Sequence, residues 1–212
     1  MKIAILGFGR EGKAVLKFLQ QRGQTQNKRG ATRNNNEIWI LDKNPNLRPP
    51  QGLQFQIGKD YLKNLADFNV VFRSPGIPYN LPEIQNAIKK GVKFSGATDL
   101  FFQNAKKIGC KIIGITGTKG KGTTSTLLYK ILKAAKKDAY LAGNIGKPAL
   151  EILAKLKKNS IVILELSSFQ LQDLYPPTGG SPDIAVILNI FEDHLDSHKD
   201  FKEYAESKAN IA

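Results

Sequence analysis

The sequence predicts an α/β protein made of two parallel-sheet domains, and three observations lead to this fold class. Short apolar segments alternate with amphipathic ones along the chain, which is the pattern of strand–helix repeats. Two of the apolar segments, residues 2–6 and 111–116, run directly into glycine-rich turns. The second of these turns restarts the pattern in mid-chain. We therefore expect one domain over residues 1–105 and a second over residues 106–212.

The first domain begins with a strand over residues 2–6. A helix follows the glycine-rich turn, with Val15, Phe18 and Leu19 on one face and its end near Gly23. Residues 24–36 contain no large apolar side chain and predict a flexible insertion. The later elements are strands over 37–42 and 69–74, a helix over 81–91 and an apolar-faced segment near 98–107.

The second domain begins with a strand over residues 111–116. Continuous aliphatic character predicts that 161–166 and 183–190 are buried parallel strands. Residues 200–211 are expected to be helical. The helix after the second glycine-rich turn has five apolar residues on one side: Leu127, Leu128, Ile131, Leu132 and Ala135.

Composition excludes several classes of protein. The single cysteine, Cys110, excludes an internal disulfide framework and a multi-cysteine metal site. The sequence has no run of about 18 apolar residues, so no transmembrane helix is predicted. Its N-terminus lacks signal-peptide features, so a cytoplasmic location is expected. The 32 Lys and Arg against 18 Asp and Glu give a net charge of +14, which suggests a nucleic-acid partner. Because these basic residues are scattered, small anionic ligands are the expected partners instead.

The first glycine-rich turn, GFGREG, covers Gly7 to Gly12 and fits the G-x-G-x-x-G pattern of a Rossmann-like domain. Its glycines allow a close backbone approach, and the following helix offers free N–H groups to a diphosphate. Asp42 ends the second strand, where a ribose or uracil partner would lie. The segment RSPGIP, residues 73–78, ends the third strand, at the edge where parallel sheets bind ligands. A nucleotide site is therefore expected here, and NAD is one reading of it.

The second turn, residues 114–125, is typical of a phosphate-binding P-loop, so an ATPase-type domain is expected. Lys121 is the predicted point charge for the β- and γ-phosphates. The turn departs from the G-x-x-x-x-G-K-[ST] template, because Ile115 replaces the first glycine and Gly122 follows the lysine. The hydroxyl facing Mg²⁺ is then Thr123, or alternatively Thr124. The predicted nucleotide-phosphate-binding residues, which the family resemblance described below assigns to ATP, are Thr116, Gly117, Thr118, Lys119, Gly120, Lys121, Gly122, Thr123 and Thr124.

Two acidic segments follow the next strands. Glu165 ends an apolar strand, where a buried carboxylate requires a cation or hydrogen-bond donors. The segment NIFEDHLDSH offers Asp193, His194 and neighbouring carboxylates, which suggests Mg²⁺ ligation near the phosphate loop. His198 has no such support and is expected at the surface.

Four segments together resemble the Mur ligase family of ATP-dependent amide-bond ligases. They are TGTKGKGTT, AGNIGKPAL (142–150), LELSSFQL (164–171) and LNIFEDHLDSH (188–198). The last three of these segments and the GFGREG and RSPGIP turns are most similar to the branch that adds D-glutamate to UDP-N-acetylmuramoyl-L-alanine in peptidoglycan precursor synthesis. The resemblance covers nearly the whole chain.

The resemblance implies roles for individual residues. ATP and Mg²⁺ are the implied cofactors, and the implied catalytic residues are Lys121, Lys208 and His194. Lys208, four residues after Tyr204 on one predicted helix face, matches a lysine that family members carry as a carbamate. The implied UDP-substrate contacts are Gly9, Arg10, Glu11, Asp42, Ser74, Pro75, Gly76 and Asn144. The implied metal ligands are Thr123, Glu165, Ser167, His194 and Lys208.

The resemblance also implies that the second domain is incomplete and that a C-terminal domain is absent. We therefore expect a partial enzyme that binds the UDP substrate with little or no ligation, acting as a monomer without membrane or nucleic-acid partners. The Lys–Gly–hydroxyl order keeps one alternative open, the folylpolyglutamate synthase branch of the same superfamily. A basic P-loop protein that binds nucleic acid and a dehydrogenase that uses GFGREG for NAD are alternatives from other classes.

Overall fold

The computed structural model describes residues 1–22, 36–174 and 180–212. Chain packing divides the protein into two units, Met1–Ala97 and Thr98–Ala212. The boundary predicted at 105/106 lies inside a helix, Ala97–Ile108, which belongs to the second unit from Thr98 onward. The predictions for Gly23 and for residues 24–35 lie outside the described residues.

The sheet of the first unit has five parallel strands in the order β3-β2-β1-β4-β5. The chain runs outward from β1 and then returns to its other side, so the strand order reverses between β1 and β4. Loops at the carboxyl ends of these two strands therefore lie side by side, as at the ligand site of doubly wound sheets. The strands are β1 (Lys2–Leu6), β2 (Glu37–Asp42), β3 (Gln54–Ile57), β4 (Val70–Arg73) and β5 (Lys93–Ser95).

Two helices cover this sheet, α1 (Arg10–Gln21) and α2 (Pro82–Lys89). Short 3-10 turns cover Gly58–Asp60 and Leu65–Asp67. The core is aliphatic, because each central strand is flanked on both sides and contributes nearly continuous apolar residues. Its fully buried members include Ala4, Leu6, Leu41, Val71 and Ile84.

The sheet of the second unit has four parallel strands in the order β7-β8-β6-β9. The strands are β6 (Lys111–Thr116), β7 (Ala139–Gly143), β8 (Ile161–Glu165) and β9 (Ile184–Ile187). The helices are α3 (Ala97–Ile108), α4 (Lys121–Ala134), α5 (Ala149–Ile152), α6 (Ser168–Gln172) and α7 (Phe201–Ala209), with a 3-10 turn at Leu153–Lys155. The central strand β6 feeds the predicted phosphate loop, and the ends of β8 and β9 lie on either side of it.

The predicted burial of β9 was wrong. This strand is parallel as expected, but among the described residues it pairs only with β6, and Ile184 and Ile187 are 54% and 42% exposed. On α4, Leu128 and Leu132 pack against the core, whereas Leu127 and Ile131 are exposed. The described residues therefore cover only part of the apolar face of α4. None of the described helices has the length and apolar character needed to cross a membrane.

Candidate functional site

In the first unit, the turn after β1 is shaped by two glycines. Gly7 has φ +86° and donates its N–H to the carbonyl oxygen of Leu41 at 2.7 Å. A Cβ at Gly7 would lie 2.8 Å from Cβ of Ser74, and one at Gly12 would lie 2.1 Å from the Gly7 carbonyl oxygen. Gly9 is the N-cap of α1, and a Cβ at this position would have no neighbour within 4 Å. The N-terminus of α1 therefore lies beside open space at Gly9, and helix N-termini suit phosphate groups.

Asp42 and Ser74 hold this turn from the two neighbouring strands. The Asp42 carboxylate accepts the N–H of Phe8 at 2.7 Å through Oδ2 and that of Asn44 at 2.8 Å through Oδ1. The Ser74 hydroxyl donates to the Gly7 carbonyl oxygen at 2.7 Å. The structure thus brings Gly9, Asp42 and Ser74 to one end of the sheet, with Pro75 and Gly76 continuing from Ser74. Asn144 lies in the second unit.

In the second unit, the loop between β6 and α4 has the form predicted for a phosphate loop. Gly117 has φ +150°, and Gly120 has φ +83° at the N-cap of α4. The ammonium of Lys121 folds back over the loop and donates to the carbonyl oxygens of Gly117 and Thr118, both at 2.9 Å. Its charge is therefore held at the mouth of the loop.

Asn189, which follows β9, clamps the outer part of this loop. Its Oδ1 accepts the N–H of Lys119 at 2.9 Å and that of Thr118 at 3.2 Å, and its Nδ2 donates to the Lys119 carbonyl oxygen at 3.1 Å. Sequence reasoning missed this role. The available signal was an asparagine directly after a strand that neighbours the phosphate-loop strand.

Lys208 reaches the underside of the loop from α7. Its side chain is 1% exposed, and its Nζ donates to the Gly117 carbonyl oxygen at 2.8 Å and lies 4.5 Å from the centre of the Tyr204 ring. The Tyr204 hydroxyl lies 3.0 Å from Oγ1 of Thr118. Burial, together with the charge of Lys121, lowers the pKa of Lys208 to about 8. Lys208 is therefore far easier to deprotonate than a surface lysine.

Glu165 ends β8 beside these two lysines and is 1% exposed. Burial raises the pKa of its carboxyl group, opposed by Lys121, by a hydrogen bond from the Asn144 side chain and by Lys208. Its Oε2 is buried and has no hydrogen-bond partner among the described residues. Buried carboxylate oxygens are normally satisfied, so this one fits a cation ligand.

The turn after β7 is built closely around Glu165. The N–H of Asn144 donates to the Glu165 carbonyl oxygen at 2.9 Å, and a Cβ at Gly143 would lie 2.2 Å from that oxygen. Asn144 thus contacts Glu165 through both its backbone and its side chain.

Two other predicted metal ligands, His194 and Ser167, contact neighbouring side chains or backbone instead of Glu165. The His194 ring is half-exposed, with Nε2 3.8 Å from Oδ2 of Asp193 and the ring edge-on to Phe169 at 5.2 Å. The Ser167 hydroxyl caps α6 by accepting the N–H of Gln170 at 3.3 Å. Among the described residues, no three His, Cys, Asp or Glu side chains are grouped to hold a metal ion. The ligand set proposed from the resemblance therefore stays a prediction.

The expectation that His198 lies at the surface was wrong, since the structure buries it between α6 and α7. Its Nε2 lies 3.0 Å from Oγ of Ser168, and its Nδ1 lies 3.3 Å from Nε2 of Gln172. Its ring stacks on Phe169 with centroids 5.0 Å apart. Both ring nitrogens have polar neighbours, which allows the imidazole to be buried.

Comparison with known families identifies both units. Residues 1–96 match the model described as "Mur ligase MurD-like, N-terminal domain", and residues 115–212 match "Mur ligase middle domain". The chain belongs to the Mur ligase family. This confirms the family predicted from the motifs and the α/β class with Rossmann-like parallel sheets.

Curated relatives carry the name UDP-N-acetylmuramoylalanine–D-glutamate ligase. The protein from Symbiobacterium thermophilum is 36% identical over 210 residues, covering 99% of this chain and 44% of the relative. The protein from Clostridium tetani is also 36% identical, covering 99% of this chain and 43% of the relative. The chain thus spans less than half the length of these relatives.

One solved structure supports the fold alone. It is the UDP-N-acetylmuramate:L-alanyl-gamma-D-glutamyl-meso-diaminopimelate ligase from Neisseria meningitides, with a TM-score of 0.52 at 16% identity. The match covers 99% of this Mur ligase chain and 67% of the solved one.

Proposed function

We propose that this chain supplies the substrate-binding and ATP-binding domains of an ATP-dependent ligase that joins D-glutamate to UDP-N-acetylmuramoyl-L-alanine in peptidoglycan precursor synthesis. The observation that carries the proposal is the meeting of Lys121, Lys208 and the buried carboxylate of Glu165 at the Gly117 loop. The names of relatives at 33–36% identity support the choice of substrate.

In the first unit, the proposed ligand is the UDP part of the substrate. The open space beside Gly9, at the N-terminus of α1, suits its diphosphate. Asp42 and Ser74 act by holding the turn in shape, because their side-chain oxygens are engaged with its backbone. We assign the remaining contacts to Arg10, Glu11, Pro75 and Gly76, and a substrate contact in the second unit to Asn144.

The proposed reaction activates a carboxylate, because a carboxylate oxygen is a poor leaving group. An oxygen of the alanyl carboxylate attacks the γ-phosphorus of ATP, the bond from that phosphorus to the β,γ-bridging oxygen breaks, and ADP leaves. The D-glutamate amine then attacks the acyl carbon of the resulting acyl phosphate, loses a proton, and phosphate departs. Lys121 and the N–H groups from Gly120 to Thr123, which Asn189 does not engage, stabilise charge on the transferred phosphoryl group.

The residues present fit Mg²⁺, because the unpartnered Oε2 of Glu165 is an oxygen donor of the kind this ion prefers. When bound, Mg²⁺ would neutralise negative charge on the phosphates and the carboxylate. We propose Glu165 and Thr123 as ligands for one Mg²⁺ ion. Lys208, as a carbamate, and His194 are the proposed ligands for a second Mg²⁺ ion. Ser167 is a further candidate metal ligand.

Lys208 suits carbamate formation because its nitrogen is neutral more often than in an ordinary lysine. With a pKa of about 8, roughly a tenth of the amine is unprotonated at pH 7. Attack of that amine on carbon dioxide forms the N–C bond and releases one proton. The buried cation then becomes an anion.

The test is calorimetric titration of the chain with UDP-N-acetylmuramoyl-L-alanine, with UDP, NADH and a short RNA beside it. We expect saturable binding of the muramoyl nucleotide, tighter than the other three. Ser74→Ala, which removes the bond to Gly7, should weaken it, whereas exposed Lys63→Ala should not. Tighter NADH or RNA binding would favour the dehydrogenase or the nucleic-acid alternative. We also propose a cytoplasmic monomer, for which light scattering should give a mass near 23.4 kDa.

A further inference from the structure

A second concave surface lies at the opposite end of the second sheet from the phosphate loop. It has a volume of about 560 Å³, which is within the range of small-molecule sites, and is lined by the starts of β6 and β8 and the turn before β7. Strand β6 separates the two ends by about 17 Å, from Lys111 to Thr116. Nothing in the proposed ligase reaction uses this surface.

The charge of this pocket is strongly positive. Its lining includes four lysines, Lys111, Lys136, Lys137 and Lys158, against one carboxylate, Asp138, which leaves a net charge of +3. In the described part of the chain, no carboxylate lies within 4 Å of these four ammonium groups. Ion pairs among the described residues therefore leave these four charges uncompensated, and a bound anion would compensate them.

The backbone beneath the lysines is tied together by Ser160 and Asp138. The Ser160 hydroxyl donates to Oδ2 of Asp138 at 2.6 Å, and its carbonyl oxygen accepts the N–H of Lys111 at 2.9 Å. The Asp138 carbonyl oxygen accepts the N–H of Ile161 at 2.8 Å. The starts of β6, β7 and β8 are therefore joined, and the lysines project from a fixed frame.

The chemistry of the lining favours one class of ligand. Lysine ammonium groups bind phosphate oxygens as point charges, and a net +3 favours an anion with several charges. No aromatic side chain is among the lining residues, all of which lie in the described chain, so the stacking platform of single-stranded nucleic-acid sites is missing. A concave site also admits a compact anion more readily than a flat membrane surface.

We propose that this pocket, defined by Lys111, Lys136, Lys137 and Lys158, binds a small polyvalent phosphate anion. It is a second anion site, separate from the phosphate loop. Phosphate groups of free polyphosphates and of lipid headgroups share this chemistry, and the test distinguishes them.

The test titrates inorganic tripolyphosphate into the ¹⁵N-labelled full chain and follows backbone amide signals, because these report each site separately. We expect the amides of residues 136–138 and 158–159 to shift saturably. In the variant Lys136→Ala/Lys137→Ala/Lys158→Ala, binding at these amides should weaken by about a hundredfold, about fivefold for each exposed charge removed. Shifts in residues 117–122, from anion binding at the phosphate loop, should not change.

Two controls keep the result specific. Lys89→Ala/Lys90→Ala/Lys93→Ala removes the same charge from exposed positions of the first unit and should leave the pocket titration unchanged. Lys136→Arg/Lys137→Arg/Lys158→Arg keeps the charge and should retain binding. The proposal is overturned if the pocket amides do not shift, or if both alanine variants weaken binding equally. It is also overturned if a short RNA or phosphatidylglycerol vesicles move these amides at lower phosphate concentration than tripolyphosphate does.

Discussion

The buried ammonium of Lys208 donates a hydrogen bond to the carbonyl oxygen of Gly117 at 2.8 Å, across 91 positions of sequence. The same oxygen accepts a second bond from Lys121 at 2.9 Å. Two cations therefore share one acceptor, and the carboxylate of Glu165 is the buried charge that opposes them. This concentration of charge around one loop carbonyl should make both stability and nucleotide binding depend on these three side chains.

Stability should depend on pH through Lys208. Its pKa falls from 10.5 to about 8 on folding, so between these values the unfolded chain binds more protons and stability rises with pH. Below pH 8 the folded chain bears the full cost of burying the charged ammonium, about 3 kcal/mol. Lys208→Met removes this cost. The gain in unfolding free energy of the variant over the parent should therefore shrink from pH 8 to pH 10. Urea unfolding at several pH values measures this, and a constant difference would contradict it.

Tyr204 should couple α7 to the phosphate loop. Tyr204→Phe removes the hydroxyl that lies 3.0 Å from Oγ1 of Thr118 but keeps the ring beneath the Lys208 ammonium. We expect a loss of about 1 kcal/mol in stability and weaker ATP binding. A double-mutant cycle with Thr118→Val should give a coupling energy of about 0.5–1.5 kcal/mol. Additive effects of the two changes would mean that the contact contributes nothing.

Gly122 should accept a serine, which would restore the hydroxyl that phosphate loops carry directly after their lysine. A Cβ at Gly122 meets only Ile145 side-chain atoms at 3.9 Å, which is ordinary contact. We expect Gly122→Ser to strengthen Mg²⁺-dependent binding of an ATP analogue and to make it insensitive to Thr123→Ala. In the parent chain, Thr123→Ala should weaken that binding. Gly120→Ser is the matched control, since φ +83° at Gly120 should make the change destabilising.

Equal sensitivity to Thr123→Ala in the parent chain and in Gly122→Ser would contradict this assignment. It would mean that the added hydroxyl does not replace the one at Thr123. A loss of nucleotide binding in Gly122→Ser alone would show that the loop requires glycine for a reason other than the space around Cβ.

The parts of the structure that followed from sequence are those where one local signal dominates. β1 and β6 are continuous aliphatic runs that end in glycine turns, and the turns require those glycines because Gly7 and Gly120 have positive φ. The short strands β3, β5 and β7 were missed, since QFQI, KFS and AYLAG have only four, three and five residues and exist by pairing with strands already in the sheet.

Other features depend on contacts between distant segments. The burial of His198 requires Ser168 and Gln172 on another helix, and the clamp by Asn189 requires a loop 70 positions earlier. Lys208 was singled out only by family resemblance, because a lysine on a helix is ordinarily solvated. No local pattern identifies its partner, the Gly117 carbonyl oxygen.

Glu165→Gln should leave the stability of the folded chain intact while it removes the proposed Mg²⁺ ligand. Because burial raises the pKa of Glu165, its charged form is disfavoured in the folded chain, and stability falls as pH rises from the carboxyl group's ordinary range toward the raised value. At pH 7 the neutral amide should therefore be at least as stable as the parent chain. Thermal unfolding at pH 7 checks this, and a large drop in stability would mean that the carboxylate is satisfied within the protein.

We propose that Glu165 and the two lysines at the Gly117 loop bind Mg²⁺ and nucleotide triphosphate together. Calorimetric titration of a non-hydrolysable ATP analogue into the parent chain and into Glu165→Gln, each with and without Mg²⁺, tests this. We expect Mg²⁺ to tighten binding to the parent chain and to have little effect on binding to Glu165→Gln, with both proteins folded. Equal Mg²⁺ dependence in the two proteins, or no nucleotide binding by the folded parent chain, would contradict it.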